Sequence, residues 1–165
     1  MHRIKIHQGK IATLKVEAIV SSPSYGAAFE TLAIASGDSL TALRVGDVQV
    51  ISERHQGLNQ HLNKEPSQIL IQAVGPRWRG GEHQEEQQLA SCYSKAMDLA
   101  KQYNLRSIAF TPISCGPMGF PANRAIKVAI QQVTLGLRRN PLIESVVFCC
   151  FDPVTTALYR SRLGK

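Results

Sequence analysis

Residues 107–120 read Ser-Ile-Ala-Phe-Thr-Pro-Ile-Ser-Cys-Gly-Pro-Met-Gly-Phe. An apolar strand runs straight into a Ser-Cys-Gly-Pro-Met-Gly loop, and Pro121 then opens a helical pattern from about Asn123 to Arg138. This joint constrains the chain more than any other feature. Glycines let a backbone approach a phosphate closely, and a helix start points N–H groups at it. The same glycines also serve a plain turn, so the loop alone leaves anion binding and turn-making both open.

The pattern around this joint is alternating. Strands are expected at residues 3–8, 16–21, 45–51, 69–74, 106–111 and 145–151. Helices are expected at 27–35, 82–103, 121–138 and 153–163, with Asp152 able to cap the last one. Residues 52–67 are polar without a clean period and read as a long loop. The 145–151 run does not alternate, so both its faces are buried. Strands alternating with helices predict a three-layer α/β domain with a largely parallel central sheet. Ligands on such sheets sit outside the carboxyl ends of the strands. The loops at 21–26, 75–81, 112–120 and 151–153 each follow a strand end and would wall one cleft.

The chain has 165 residues, enough for one well-packed domain spanning 1–165 and short for two. No apolar run approaches the roughly 18 residues of a membrane helix. The first residues alternate like a strand, not like a signal segment, so a cytoplasmic protein is expected. Cys92, Cys115, Cys149 and Cys150 form no Cys-x-x-Cys pair, and no His lies at zinc-finger spacing. Reduced, buried thiols are expected, with no metal and no cofactor. The net charge of +7 favours anionic partners, nucleotides or RNA among them. Along the chain, though, the cations are scattered and read as a solvated surface.

Several ordered motifs resemble a macro domain, the ADP-ribose-binding module, and most closely its bacterial hydrolase-like branch. Gly9-Lys-Ile before Val16-Glu-Ala-Ile-Val is similar to the family's Gly-Asp-Ile and "DAIVNAAN" opening. Ala73-Val-Gly-Pro-Arg-Trp-Arg-Gly-Gly resembles its "HTVGP-x-W-x-GG" segment. Ile113-Ser-Cys-Gly-Pro-Met-Gly-Phe-Pro resembles its "AISTGVYGYP" loop. Phe148-Cys-Cys-Phe-Asp, then Leu158-Tyr159, looks like its closing strand and helix. The resemblance implies a three-layer α/β/α macro-domain fold with a mixed, largely parallel sheet.

It also implies a ligand, ADP-ribose or a related nucleotide diphosphate. The positions carried over for binding it are Lys10, Ile11, Ser22, Ser24, Ser114, Cys115, Gly116, Met118, Gly119, Phe120, Phe151 and Asp152. Backbone N–H groups of the 113–120 loop would hold the pyrophosphate, and Phe151 would lie against the base. Trp78, between two arginines, would stack on a base or serve the fold.

The departures from the family bear on activity. Its adenine-binding aspartate corresponds to Lys10, a donor facing another donor. Lys10 therefore either meets a changed ligand head or points into solvent. Its two asparagines correspond to Ser21 and Ser24, and its catalytic aspartate falls near Phe29, beside Glu30. Ser24 and Glu30 are the candidates for a rebuilt catalytic pair. Pro117 removes one N–H from the phosphate loop. Cys115 replaces a Thr beside the anion-binding amides. That setting lowers a thiol pKa and would make it reactive, unless it is a spectator.

These readings predict nucleotide diphosphate binding without efficient hydrolysis. Two alternatives stay open. One is an ADP-ribosyl or O-acetyl-ADP-ribose hydrolase. The other is an RNA- or protein-binding module with a vestigial cleft.

Overall fold

A computed structural model describes residues 3–22, 44–51, 69–115 and 118–164. Within them six strands form one sheet: β1 Ile4–Gln8, β2 Ala18–Ser21, β3 Val48–Ile51, β4 Ile69–Ala73, β5 Ser107–Phe110 and β6 Ser145–Cys150. Their order is β1-β6-β5-β2-β4-β3. Every neighbouring pair is parallel except β3 with β4. Three helices accompany the sheet: α1 Glu85–Gln102, α2 Ala122–Arg139 and α3 Pro153–Leu163.

Side-chain alternation divides the core in two. Ala18 and Val20 of β2, Ile69 and Ile71 of β4, and Ile108 and Phe110 of β5 face the larger cluster, which also holds the apolar stripes of α1 and α2. Ile19 faces the other way. It lies in register with Leu70 and Ala109, and Ala109 with Val147. With Val16 these residues form a second cluster, covered in part by Ile11 and Leu14. The central strands are thus buried on both faces, which their continuous apolar runs require.

The helix layer is tightly fitted. A Cβ on Gly136 of α2 would lie 2.8 Å from Met97 Cβ of α1, so a side chain there would push the helices apart. Arg3 closes the far end of α2, donating to the carbonyls of Leu137 at 2.9 Å and Ile143 at 3.0 Å. An aromatic row, Tyr93–Phe110–Phe148–Tyr159, crosses the sheet beneath the helices, with centroid separations of 5.0, 6.1 and 4.6 Å.

The α/β reading and the mixed, largely parallel sheet hold. Several boundaries move. α1 begins at Glu85 rather than at 82, because Gln84 is left-handed (φ 64°) and the Glu85 carboxylate folds back onto the preceding loop. β3 begins at Val48 rather than at 45, since Val45 and Gly46 form a turn held by a Gly46 N–H bond to the Val74 carbonyl at 2.8 Å. A 3-10 turn at Ile11–Thr13 was not anticipated. The helix expected at 27–35 and the loop expected at 52–67 lie outside the described residues.

Candidate functional site

Five parallel strands put their carboxyl ends on one edge, so the segments after β1, β2, β4, β5 and β6 gather there. The segment after β5 is the most constrained. Thr111 N–H donates to the Val20 carbonyl at 3.1 Å, which continues the ladder one residue past the strand. The chain then turns at Ser114, a non-glycine residue at φ 65°. It closes where Phe120 N–H donates to the Ser114 carbonyl at 3.2 Å. Gly119, at φ 77°, permits that closure.

α2 starts directly after this loop. Its N-cap is Pro121, which makes no side-chain cap, and the first turn carries no acidic residue. The first intrahelical bonds run from Arg124 and Ala125 to the Pro121 carbonyl. The amides of Ala122 and Asn123 therefore precede the helical ladder and face the loop side. Ser114 is fully buried, and its hydroxyl has no hydrogen-bond partner among the described residues. A buried hydroxyl without a partner is costly, and such groups mark strain or a missing water or ion.

The segment after β4 braces the loop. Trp78 N–H donates to the Met118 carbonyl at 2.9 Å. The Trp78 ring lies 4.8 Å from Phe120, and the Arg124 guanidinium lies 4.9 Å from the Trp78 ring centre. Trp78 is thus taken up in packing, which favours the fold-serving one of its two readings. Behind it, the Glu85 carboxylate accepts from the amides of Arg79 (2.8 Å), Gly81 (2.8 Å) and His83 (2.6 Å). Burial opposes ionisation of Glu85, but these amide bonds outweigh it and hold the carboxyl at about 2. Sequence reading missed Glu85, because an acid in a first helical turn looks generic.

The remaining expected residues are distributed around the same edge. Lys10 is exposed and opens the 3-10 turn, its carbonyl accepting from Thr13 N–H at 3.2 Å and Thr13 Oγ1 at 2.7 Å. Ile11 is half-buried against the second cluster. Ser22 is buried at the end of β2. Phe151 is 48% exposed just beyond β6, placing an accessible ring at the edge. Met118 is half-buried and Gly119 exposed. Gly116, Ser24 and Glu30 lie outside the described residues.

Asp152 has both carboxylate oxygens engaged in capping α3, with Thr155 N at 2.7 Å and Thr155 Oγ1 at 2.9 Å. That confirms its role as a cap. The surroundings of Cys115 favour the spectator reading of its thiol. Burial, with the nearby Cys150 and Asp152, pushes it up to about 11, which outweighs its place beside a helix start. None of the four cysteines forms a disulfide among the described residues. No group of three or more His, Cys, Asp or Glu among these residues could hold a metal ion, and no helix is long and apolar enough to cross a membrane.

Comparison with known proteins agrees with this architecture. Residues 56–129 match the family model described as Macro domain. A macro domain-containing protein of Methanosarcina mazei is 34% identical, over 99% of this chain and 89% of its own. An O-acetyl-ADP-ribose deacetylase of Klebsiella pneumoniae is 36% identical, over 95% of this chain and 94% of its own. Among solved structures, a mutant Oceanobacillus iheyensis macrodomain with ADPR superposes with a TM-score of 0.76 at 25% identity, covering 96% of this chain and 90% of that one. The Oceanobacillus iheyensis macrodomain with ADP gives 0.74 at 25% identity, over 96% and 88%. From its strand order, its loop–helix joint and these full-length likenesses, the chain belongs to the macro domain family.

Proposed function

We propose that the chain binds ADP-ribose or a related nucleotide diphosphate at this edge, through the 113–120 loop, without efficient hydrolysis. The observation that carries the reading is the pairing of the Ser114–Phe120 loop with the uncapped start of α2. Among the described residues no side chain caps the amides there, and the helix dipole favours negative charge. The binding free energy would come from these N–H donors, with Phe151 offering its exposed ring to a base. The ADPR and ADP named with the Oceanobacillus structures support the same ligand class.

Specificity at the base end would differ from that of an adenine site built on a carboxylate. Lys10 is exposed at that end of the edge and can only donate. An adenine amino group would find no acceptor in it. A purine carbonyl or an added phosphate would find a partner.

A second reading, hydrolysis, is favoured by the likeness to the Klebsiella deacetylase. It requires Ser24 or Glu30 to take over the missing groups, a carboxylate serving as general base. Incubation with O-acetyl-ADP-ribose separates the two. Saturable binding with no release of acetate supports the binding module. Turnover that disappears in Glu30→Ala supports the enzyme and removes the proposal.

A further inference from the structure

We propose that the outer face of α2, together with the last turns of α3, is a docking surface for a nucleic-acid phosphodiester backbone, separate from the cleft. Beyond Phe120 the chain carries seven cations, Arg124, Lys127, Arg138, Arg139, Arg160, Arg162 and Lys165, against two acids, Glu144 and Asp152. Five of the seven net positive charges of the chain therefore reside in its last quarter. α2 contains no acidic residue at all, and neither does α3.

Folding gathers what the sequence scatters. Arg124, Lys127, Gln131, Leu135 and Arg138 follow one another at three- and four-residue spacing, and all are exposed. They form one stripe on the side of α2 away from the core. It spans about 21 Å from Arg124 to Arg138, at about 1.5 Å per residue. α3 packs beside α2 and contributes exposed Arg160 and Arg162.

The helix dipole explains only part of this pattern. Cations in the last turn, such as Arg138, Arg139, Arg160 and Arg162, are favoured there. Arg124 lies in the first turn of α2, where acids are favoured and cations are not, and Lys127 follows in the second turn. Arg124 is engaged with Glu86 and with Trp78. Lys127 makes no ion pair among the described residues. The acid-free stripe thus begins with a cation where helix electrostatics favours an acid.

The chemistry fits a nucleic-acid backbone better than a lipid surface. The cations are mostly arginines, whose planar fork matches phosphate oxygens, and Asn123 and Gln131 add neutral hydrogen-bonding groups. Leu135 is the only large apolar residue exposed on the stripe, too little to enter an acyl layer.

Fluorescence anisotropy with a labelled 20-nucleotide single-stranded RNA tests the surface, with single-stranded DNA and a DNA duplex of the same sequence distinguishing the sources. Lys127→Glu/Arg138→Glu should weaken binding about tenfold at moderate salt. It should also lower the slope of log K against log salt by about 1.4, since each lost single-strand contact removes roughly 0.7. Lys127→Gln/Arg138→Gln, which is gentler on the helix, should lose affinity in the same direction. Lys5→Glu/Lys15→Glu, an equal charge change elsewhere, should retain most of it, and saturating ADP-ribose should not displace the nucleic acid. Equal loss in both charge-reversal variants would show net charge alone and overturn the proposal. So would displacement by ADP-ribose, or binding to phosphatidylglycerol vesicles with none to any nucleic acid. ADP-ribose titration of the same variants reports separately on the cleft.

Discussion

A Cβ placed on Gly75 would lie 2.3 Å from Ser114 Oγ and 2.6 Å from Ile113 Cγ2. The backbone after β4 thus runs against the floor of the phosphate loop, with room for glycine and nothing larger. Two loops that the sequence separates by more than thirty positions are fitted to each other at this point.

Gly75→Ala is therefore expected to shift the phosphate loop itself. Overpacking of this kind costs about 1–3 kcal/mol. Denaturant unfolding should show that loss, and ADP-ribose affinity should fall by more than the stability change alone accounts for. Adding Ser114→Ala should restore part of it, because it removes the shorter of the two close contacts and leaves that with Ile113. Unaltered stability and binding in Gly75→Ala would mean the two loops are not coupled.

Glu85 gives a pH signature. Its carboxyl is held at about 2, below the ordinary 4.5, by the amides of Arg79, Gly81 and His83 outweighing its burial. A depressed folded value contributes stability above the unfolded value and loses it as pH falls toward the folded one. Stability should drop between about pH 5 and pH 2, and Glu85→Gln should be less stable at neutral pH and less sensitive in that window. Asp47, lowered first by its hydrogen bond to Lys95, titrates in the same direction, so the difference between wild type and Glu85→Gln isolates the loop. Parallel pH profiles would contradict the role given to Glu85.

Cys115 should behave as an inert thiol. With its thiol pushed up to about 11, alkylation at pH 7.5 should be much slower than for a small free thiol and should accelerate as pH rises. Mass spectrometry after timed iodoacetamide treatment reads this directly. Rapid, selective labelling at neutral pH would restore the reactive-thiol reading.

Phe151 and Asp152 should separate cleanly despite being neighbours. Phe151→Ala removes a half-exposed ring and should leave stability within about 0.5 kcal/mol while weakening nucleotide binding about tenfold. Asp152→Ala removes the cap of α3 and should cost about 1 kcal/mol of stability with a smaller effect on binding.

The strand–loop–helix joint at 107–138 was legible because its signals are local: an apolar run, glycines, a proline and a periodic helix. The same holds for Asp152, which caps α3 as expected. What sequence reading missed depends on burial and on distant partners. Glu85 looked like an ordinary first-turn acid, and only the fold brings three amides to it. Cys115 was placed correctly near a helix start, but its burial, invisible in spacing, reverses the direction of its pKa. Arg138 and Arg160 are far apart along the chain, and the packing of α2 beside α3 is not visible in their spacing. Trp78 left stacking and a structural role both open in the sequence, and its contacts with Phe120 and Arg124 come only with the fold.

Calorimetric titration of the purified protein with ADP-ribose, alongside ADP and GDP, tests the central claim most directly. The account predicts saturable one-site binding of at least one of these diphosphates, abolished or strongly weakened by Gly75→Ala. With Lys10 in place, GDP should compete at least as well as ADP, and Lys10→Asp should reverse that order. No heat of binding with any of the three, from a protein shown to be folded, would contradict a working phosphate loop at this edge.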